Sequence, residues 1–306
     1  MFGHTLHAGF PSRDLGGIIH GYVQVSCKCI TPSGDIFDLY GINNPGCFVF
    51  IGWYQRLSGR KPDYRYRSVT TPMSSTALLV IEGLWWTPEQ KPKRPSVLSF
   101  LEGLESYRGD FNIYYSNFYE KTGFKRAISD DLTNTREDRL FLYVAAHGTD
   151  KRIGGLKAKT GMKIPAMFKA VKNAANYSNI EGVVIGSCSV GNNIDDFIST
   201  TKNSRIAWIF GYTCEIGWMT STLVDVSLFE NLMKLKKSDL ADREKIINTF
   251  VKALRRFNGD AILCKNKGTG GIPLKNAITI VIQPRKPGSK AQDETKTVLE
   301  KLGWIK

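Results

Sequence analysis

Two apolar runs in this chain end on residues suited to acyl chemistry. LFLYVAAHG (140–148) carries seven apolar residues into His147-Gly148, and GVVIGSCSVG (182–191) carries a second run into Cys188. The other three histidines, His4, His7 and His20, all lie near the N-terminus. A thiol is mostly protonated at neutral pH, so a nucleophilic cysteine needs a neighbouring base. An imidazole can take that proton and later return it to a leaving amine. Gly148 and the backbone around Cys188 can bring N–H groups close to a tetrahedral intermediate. Gly186, just before Ser187-Cys188, gives the chain room to turn. Singly, a strand-end cysteine is more often a small buried hydrophobe, and a lone histidine a structural residue. Together, each closing an apolar strand, they point to catalysis.

The elements around them must put both side chains on one edge of a sheet. In open α/β sheets ligands bind beyond the carboxyl ends of the strands, so neighbouring parallel strands ending in His147 and Cys188 share a cleft. The helical pattern at 164–177 supplies the right-handed crossover that such a pair needs. Chain order then narrows the chemistry. No histidine follows Cys188, which excludes papain-like and class I glutaminase arrangements. Val190 stands where a nucleophile elbow needs its second glycine, and Ile194 where a Cys-x5-Arg phosphatase loop needs arginine. What is left is histidine first and cysteine second, 41 positions later.

From about residue 76 short apolar runs alternate with helix-like segments. Strands are expected at 76–86, 111–119, 140–147, 181–188, 205–212 and 276–284, with Pro284 as the final stop. Helices are expected at 96–107, 123–134, 164–177, 221–236 and 242–257. Central strands apolar on both faces predict a three-layer α/β sandwich with a mostly parallel central sheet. The first 70 residues differ, with many Gly, Pro, Asn and Tyr and short runs such as GYVQVSCKCI and CFVFIGWY. They read as a small β-rich appendage (1–70) joined near 67–76 to the main domain (71–306).

Composition is that of a globular chain of 306 residues, 42% apolar and 23% charged. No apolar run reaches the ~18–20 residues of a membrane span. The first twenty residues lack a basic segment followed by an apolar one, so no secretory leader is expected. The six cysteines (27, 29, 47, 188, 214, 264) then read as reduced thiols in a cytoplasmic protein. Cys27, Cys29, Cys47 and His20 lack the paired spacing of a zinc site, so neither metal nor cofactor is expected. The net charge of +14 favours acidic partners, yet the basic stretches (56–67, 91–95, 234–237, 253–256) follow no nucleic-acid-binding motif. A basic nucleic-acid-binding protein is therefore the lesser reading.

An apolar block ending in His-Gly and a second ending in Ser-Cys, here VAAHG and VVIGSC, resembles the caspase-like (clan CD) cysteine peptidases. The resemblance spans roughly residues 76–284. IGWMTSTLVDVSLFENLM (216–233) looks like the segment after the fifth strand of CHAT-domain proteases. The Q-A-C-[RQG]-G sequence of animal caspases is absent, and the N-terminal 70 residues match nothing in the family. The resemblance implies a cysteine endopeptidase with His147 as general base and acid and Cys188 as nucleophile. Gly148 and Cys188 would then be the oxyanion donors. It also implies a protein substrate, for instance a gasdermin-like or other effector in bacterial defence or programmed cell death. A cleft selecting Lys or Arg needs carboxylates, for which Asp225, Glu215, Asp195 and Asp196 are candidates, with Asp225 matching the CHAT-like aspartate. A cleft selecting Asp would draw on Arg152, Arg94 or Arg205. Trp85, Trp86 and Trp218 are candidate pocket walls, and Cys214 a bystander. The Gly- and Lys-rich stretch 148–161 is a candidate mobile loop over the cleft, or a site of self-cleavage. The alternative reading is a caspase fold that only binds.

Overall fold

The computed structural model describes residues 24–30, 36–44, 47–52, 75–85, 96–155, 161–202, 204–266 and 270–306. His4, His7, His20, Trp86, Arg94 and the basic stretches 56–67 and 91–95 lie outside them. The chain divides into two compact units, Met1–Val69 and Thr70–Lys306. In the first, β1 (Gln24–Ile30), β2 (Ile36–Asn44) and β3 (Cys47–Gly52) form an antiparallel sheet in that order.

The second unit begins with β4 (Thr76–Gly83), α1 (Leu98–Arg108), β5 (Asn112–Phe118), α2 (Lys121–Asn134) and β6 (Arg139–Ala145). Three two-residue strands follow, β7 (Gly148–Thr149), β8 (Arg152–Ile153) and β9 (Met162–Lys163). Next come α3 (Ile164–Asn173), β10 (Ile180–Gly186), α4 (Ile194–Thr201), β11 (Trp208–Tyr212), α5 (Trp218–Leu232) and α6 (Arg243–Leu254). The chain closes with β12 (Ile262–Asn266), β13 (Gly270–Pro273), β14 (Ile278–Ile282), β15 (Gln292–Asp293) and α7 (Thr295–Lys301).

Seven strands make the central sheet in the order β15-β14-β11-β10-β6-β4-β5. Neighbours from β5 to β11 run parallel, while β14 and β15 add antiparallel edges. Alternation along each strand feeds two separate cores. Leu78, Val80, Phe141, Tyr143, Val184 and Phe210 face α1, α5, α6 and α7. Leu79, Ile81, Leu142, Val144, Val183 and Ile209 face α2, α3 and α4. Burial on both faces explains why these strands read as continuous apolar runs rather than as alternating ones. The expected three-layer sandwich with a mostly parallel sheet is the architecture found.

Several expectations are corrected. The 140–147 strand stops at Ala145, so His147 lies beyond the ladder rather than on it. The strand expected at 276–284 is not the last, because β15 follows it and pairs with Val281 and Ile282. The loop after His147 is partly structured as the β7–β8–β9 sheet; residues 156–160 within it lie outside the described residues. Cys214 and Cys264 are joined in a disulfide rather than free, and Cys188 is free. No described helix is long and apolar enough to cross a membrane.

Candidate active site

The connections place a cleft at one edge of the sheet. After β4 the chain turns outward through α1 to β5. After β6 it turns the other way, through α3 on the opposite face, to β10. The loops leaving β4 and β6 therefore part, which is the switch point where α/β sheets open a crevice. Trp85 follows β4, His147 follows β6, Cys188 follows β10, and 213–217 follow β11. Register brings them level: Ala145 pairs with Glu82 on one side and Gly186 on the other, so His147 and Cys188 each lie two residues past a matched pair.

His147 is exposed, and two contacts from Trp85 orient its ring. Nε2 lies 2.6 Å from the Trp85 carbonyl oxygen, and the indole meets the imidazole edge-on with ring centres 5.5 Å apart. A carbonyl only accepts, so Nε2 carries the hydrogen; in the neutral ring Nδ1 is then the nitrogen free to take a proton.

Gly148 packs against the cysteine turn. A Cβ there would run into the Cys188 carbonyl oxygen and sit 2.9 Å from the Cys188 backbone nitrogen, closer than real side chains come to backbone, with Ser187 Cβ a tight 3.0 Å away. The glycine is thus what lets the histidine loop close onto the cysteine loop. The turn itself depends on Ser189, in the left-handed region at φ 57°, ψ 2°, a conformation costing about 1–2 kcal/mol for a residue with a Cβ. Its N–H donates to the Cys214 carbonyl at 3.0 Å. Asn192 and Asn193 reach Asp150 Oδ1 and the Asp150 carbonyl at 2.9 and 2.5 Å, bracing the two loops against each other.

Burial pushes the Cys188 thiol up, and the negative charge of Glu215 adds to this. Backbone N–H groups of Ile216, Gly148 and Cys188 itself oppose the rise in part. The sulfur is therefore held as a thiol until a base removes its proton.

The carboxylates expected around a substrate pocket separate in space. Asp195 is exposed and Asp196 half-buried in the first turn of α4, and Glu215 is exposed near the sulfur. Trp218 opens α5 and packs edge-on against Phe100 at 5.8 Å. Asp225 is 0% exposed. Tyr143 and Tyr212 donate to its Oδ2 and Oδ1 at 2.6 and 2.7 Å, and desolvation raises its pKa to about 7 against these two bonds. Oδ2 also lies 2.9 Å from where a Cβ at Gly186 would stand, so the acid sits directly beneath the end of β10. Arg152 donates to the Gly161 carbonyl at 2.6 Å within the β7–β9 sheet. Arg205 is exposed beside the Arg285 guanidinium near the amino end of β10, at the opposite end of the strands from Cys188. No group of three or more metal-ligating side chains gathers among the described residues.

Sequence reasoning did not find the Trp85 carbonyl, the Ile216 N–H, the two tyrosines or the Cys214–Cys264 bridge. The two backbone groups leave no residue-type signature. The tyrosines looked like ordinary apolar strand positions.

The fold is similar to two structures of a secreted C11 cysteine protease from Bacteroides thetaiotaomicron. One, in complex with an irreversible peptide inhibitor, matches with a TM-score of 0.43 and 12% identity over 68% of this chain and 66% of that chain. The other, called iotapain, matches with a TM-score of 0.45 and 11% identity over 69% and 67%. This chain thus spans about two-thirds of the length of those proteins. No protein-family model matches the sequence. No curated protein matches it either.

Proposed function

We propose that the protein is a caspase-like cysteine endopeptidase in which Cys188 is the nucleophile and His147 the general base and acid. The observation that carries this is the seating of Gly148 on the Cys188 backbone, with its N–H aimed at the sulfur, at the carboxyl ends of adjacent parallel strands. His147 Nδ1 takes the thiol proton as sulfur attacks the peptide carbonyl carbon. The N–H groups of Gly148 and Cys188 stabilise the oxyanion. Collapse breaks the C–N bond, the imidazolium gives its proton to the leaving amine, and water then hydrolyses the thioester with His147 again as base.

Asp225 is the acid we assign to selecting a basic residue before the cut. It lies beneath the strand end that carries Cys188, and an incoming guanidinium or ammonium would favour its ionised form. Glu215, Asp195 and Trp218 are kept as outer substrate contacts. The protein substrate, the CHAT-like affinity and a role in bacterial defence through a gasdermin-like or other effector rest on the motif resemblance alone. A cytoplasmic setting is not part of the proposal, because bonds like Cys214–Cys264 persist in oxidising compartments.

The test is a fluorogenic-peptide screen with Arg, Lys, Asp and Leu before the reporter, run on wild type beside Cys188→Ala. The expected result is turnover of the Arg or Lys peptides that Cys188→Ala abolishes. Turnover that survives Cys188→Ala overturns the mechanism, as does failure of a Cys-directed peptidyl electrophile to label Cys188. Cys188-dependent turnover confined to Asp or Leu peptides overturns only the role of Asp225.

A further inference from the structure

We infer that Glu82 is a positioning residue for the His147–Cys188 pair, acting through Trp85; this rests on the peptidase reading. Glu82 closes the apolar run TALLVIEG of β4 and is only 2% exposed. A carboxylate in such a place is costly unless its oxygens are well served by donors. Here Oε1 accepts from the Trp85 indole Nε1–H at 2.6 Å and from the Val97 backbone N–H at 3.0 Å. Oε2 accepts from the Tyr115 hydroxyl at 2.8 Å and from the Ser96 hydroxyl. One side chain therefore ties the end of β4 to β5, to the start of α1 and to Trp85.

The tie to Trp85 is the one that reaches the site. Glu82 and Trp85 are three residues apart, so the indole–carboxylate bond closes a short clasp over Gly83 and Leu84. Gly83 permits the clasp to lie against the histidine strand: a Cβ there would stand 2.7 Å from Ala146 Cβ, next to His147. Both contacts that orient the exposed imidazole, the carbonyl acceptor and the edge-on ring, come from Trp85. With the clasp closed, the Trp85 carbonyl holds Nε2–H and leaves Nδ1 for the thiol proton. With it open, the imidazole loses its acceptor and turns freely.

A residue that only stiffened the fold would lower stability and leave turnover per folded molecule unchanged. Glu82→Gln keeps the size of the side chain but removes two of its acceptor positions, and Trp85→Phe removes the indole donor while leaving the backbone carbonyl. Each folded variant is expected to lose kcat by on the order of ten- to a hundredfold, the scale set by misplacing a catalytic group. KM for the same peptide is expected to move less than kcat, because Asp225 keeps its bonds from Tyr143 and Tyr212 in both variants. The double variant should be no slower than the worse single one, since both changes open one clasp.

Cys188→Ala sets the baseline, and thermal midpoints establish that each variant is folded. A folded variant with kcat within about twofold of wild type overturns the inference, and so do losses that multiply in the double variant. Should Glu82→Gln fail to fold, the kcat of Trp85→Phe decides alone. Turnover that is independent of Cys188 sinks the peptidase reading itself. Cys188-dependent turnover indifferent to Glu82 and Trp85 sinks only their role.

Discussion

At the scale of single residues, the site is set by groups that have one acceptable occupant. Gly148 is fixed by the Cys188 backbone against it, and the Trp85 carbonyl fixes the tautomer of His147. Asp225 differs in that its charge is adjustable. Its ordinary pKa of 3.8 rises to about 7 in the fold because burial outweighs the bonds from Tyr143 and Tyr212. The folded protein then binds a proton that the unfolded chain has released, over the interval between these two values. The contribution of Asp225 to stability falls as pH climbs through that interval and levels off above about 7, by a few kcal/mol in all at about 1.36 kcal/mol per pH unit. Urea unfolding of wild type and Asp225→Asn from pH 4 to pH 8 measures it. The gap between the two proteins should change in favour of Asp225→Asn as pH rises; parallel curves would mean that Asp225 is already ionised at low pH.

At the scale of elements, legibility followed length and apolar patterning. β4, β6, β10 and β11 lie at the centre of the sheet with both faces covered, so LLVI, LFLYVA, GVVI and WIFGY stood out as apolar blocks. Their carboxyl-end residues were readable with them, which is why His147 and Cys188 could be paired. The two-residue strands β7, β8, β9 and β15 are too short to show any period. α4 (IDDFISTT) is rich in β-branched and hydroxyl residues that blur a helical signal. The Cys214–Cys264 bridge joins positions 50 residues apart, and spacing alone cannot assign such a pairing. That bridge has a local effect. It holds the β12–β13 hairpin to the loop after β11, where Ile216 pairs with Cys264 and turns its N–H to the Cys188 sulfur. A closed loop of this length stabilises by about 4 kcal/mol in the chain-entropy account. Cys214→Ala/Cys264→Ala should therefore unfold at lower urea. It should also react more slowly at Cys188 with a peptidyl electrophile, because a loose Ile216 no longer holds the sulfur. Unchanged labelling in a destabilised variant would confine the bridge to a structural role.

At the scale of the whole molecule, the sheet has two ends with different duties. The carboxyl edge carries an exposed imidazole, a left-handed serine and a thiol raised by burial. The opposite edge carries a buried ion cluster. Glu181, 0% exposed at the start of β10, receives Arg139 from the start of β6 at 2.6 Å and Arg285 from beyond β14 at 3.4 Å. Arg139 also donates to the Leu235 carbonyl at 2.6 Å and Arg285 to the Ile180 carbonyl at 2.8 Å, so the cations stitch β6, β10, the segment after α5 and the segment after β14 together. Burial brings the Arg285 guanidinium down to about 10, with Arg205 and Arg139 adding to the depression and Glu181 opposing it. Removing the carboxylate leaves two half-buried cations facing each other without their buried counter-charge, a loss of about 3 kcal/mol at the low end of the range for a broken buried pair. Glu181→Gln should lower the thermal midpoint by that much stability, yet leave kcat per folded molecule near the wild-type value at a temperature where both are folded. Thermal unfolding paired with active-site titration separates the two quantities. A fall in kcat at full occupancy of titrated sites would mean that the amino edge of the sheet reaches the cleft through the β6 and β10 strands. An unmoved midpoint would mean that solvent already reaches and screens the cluster.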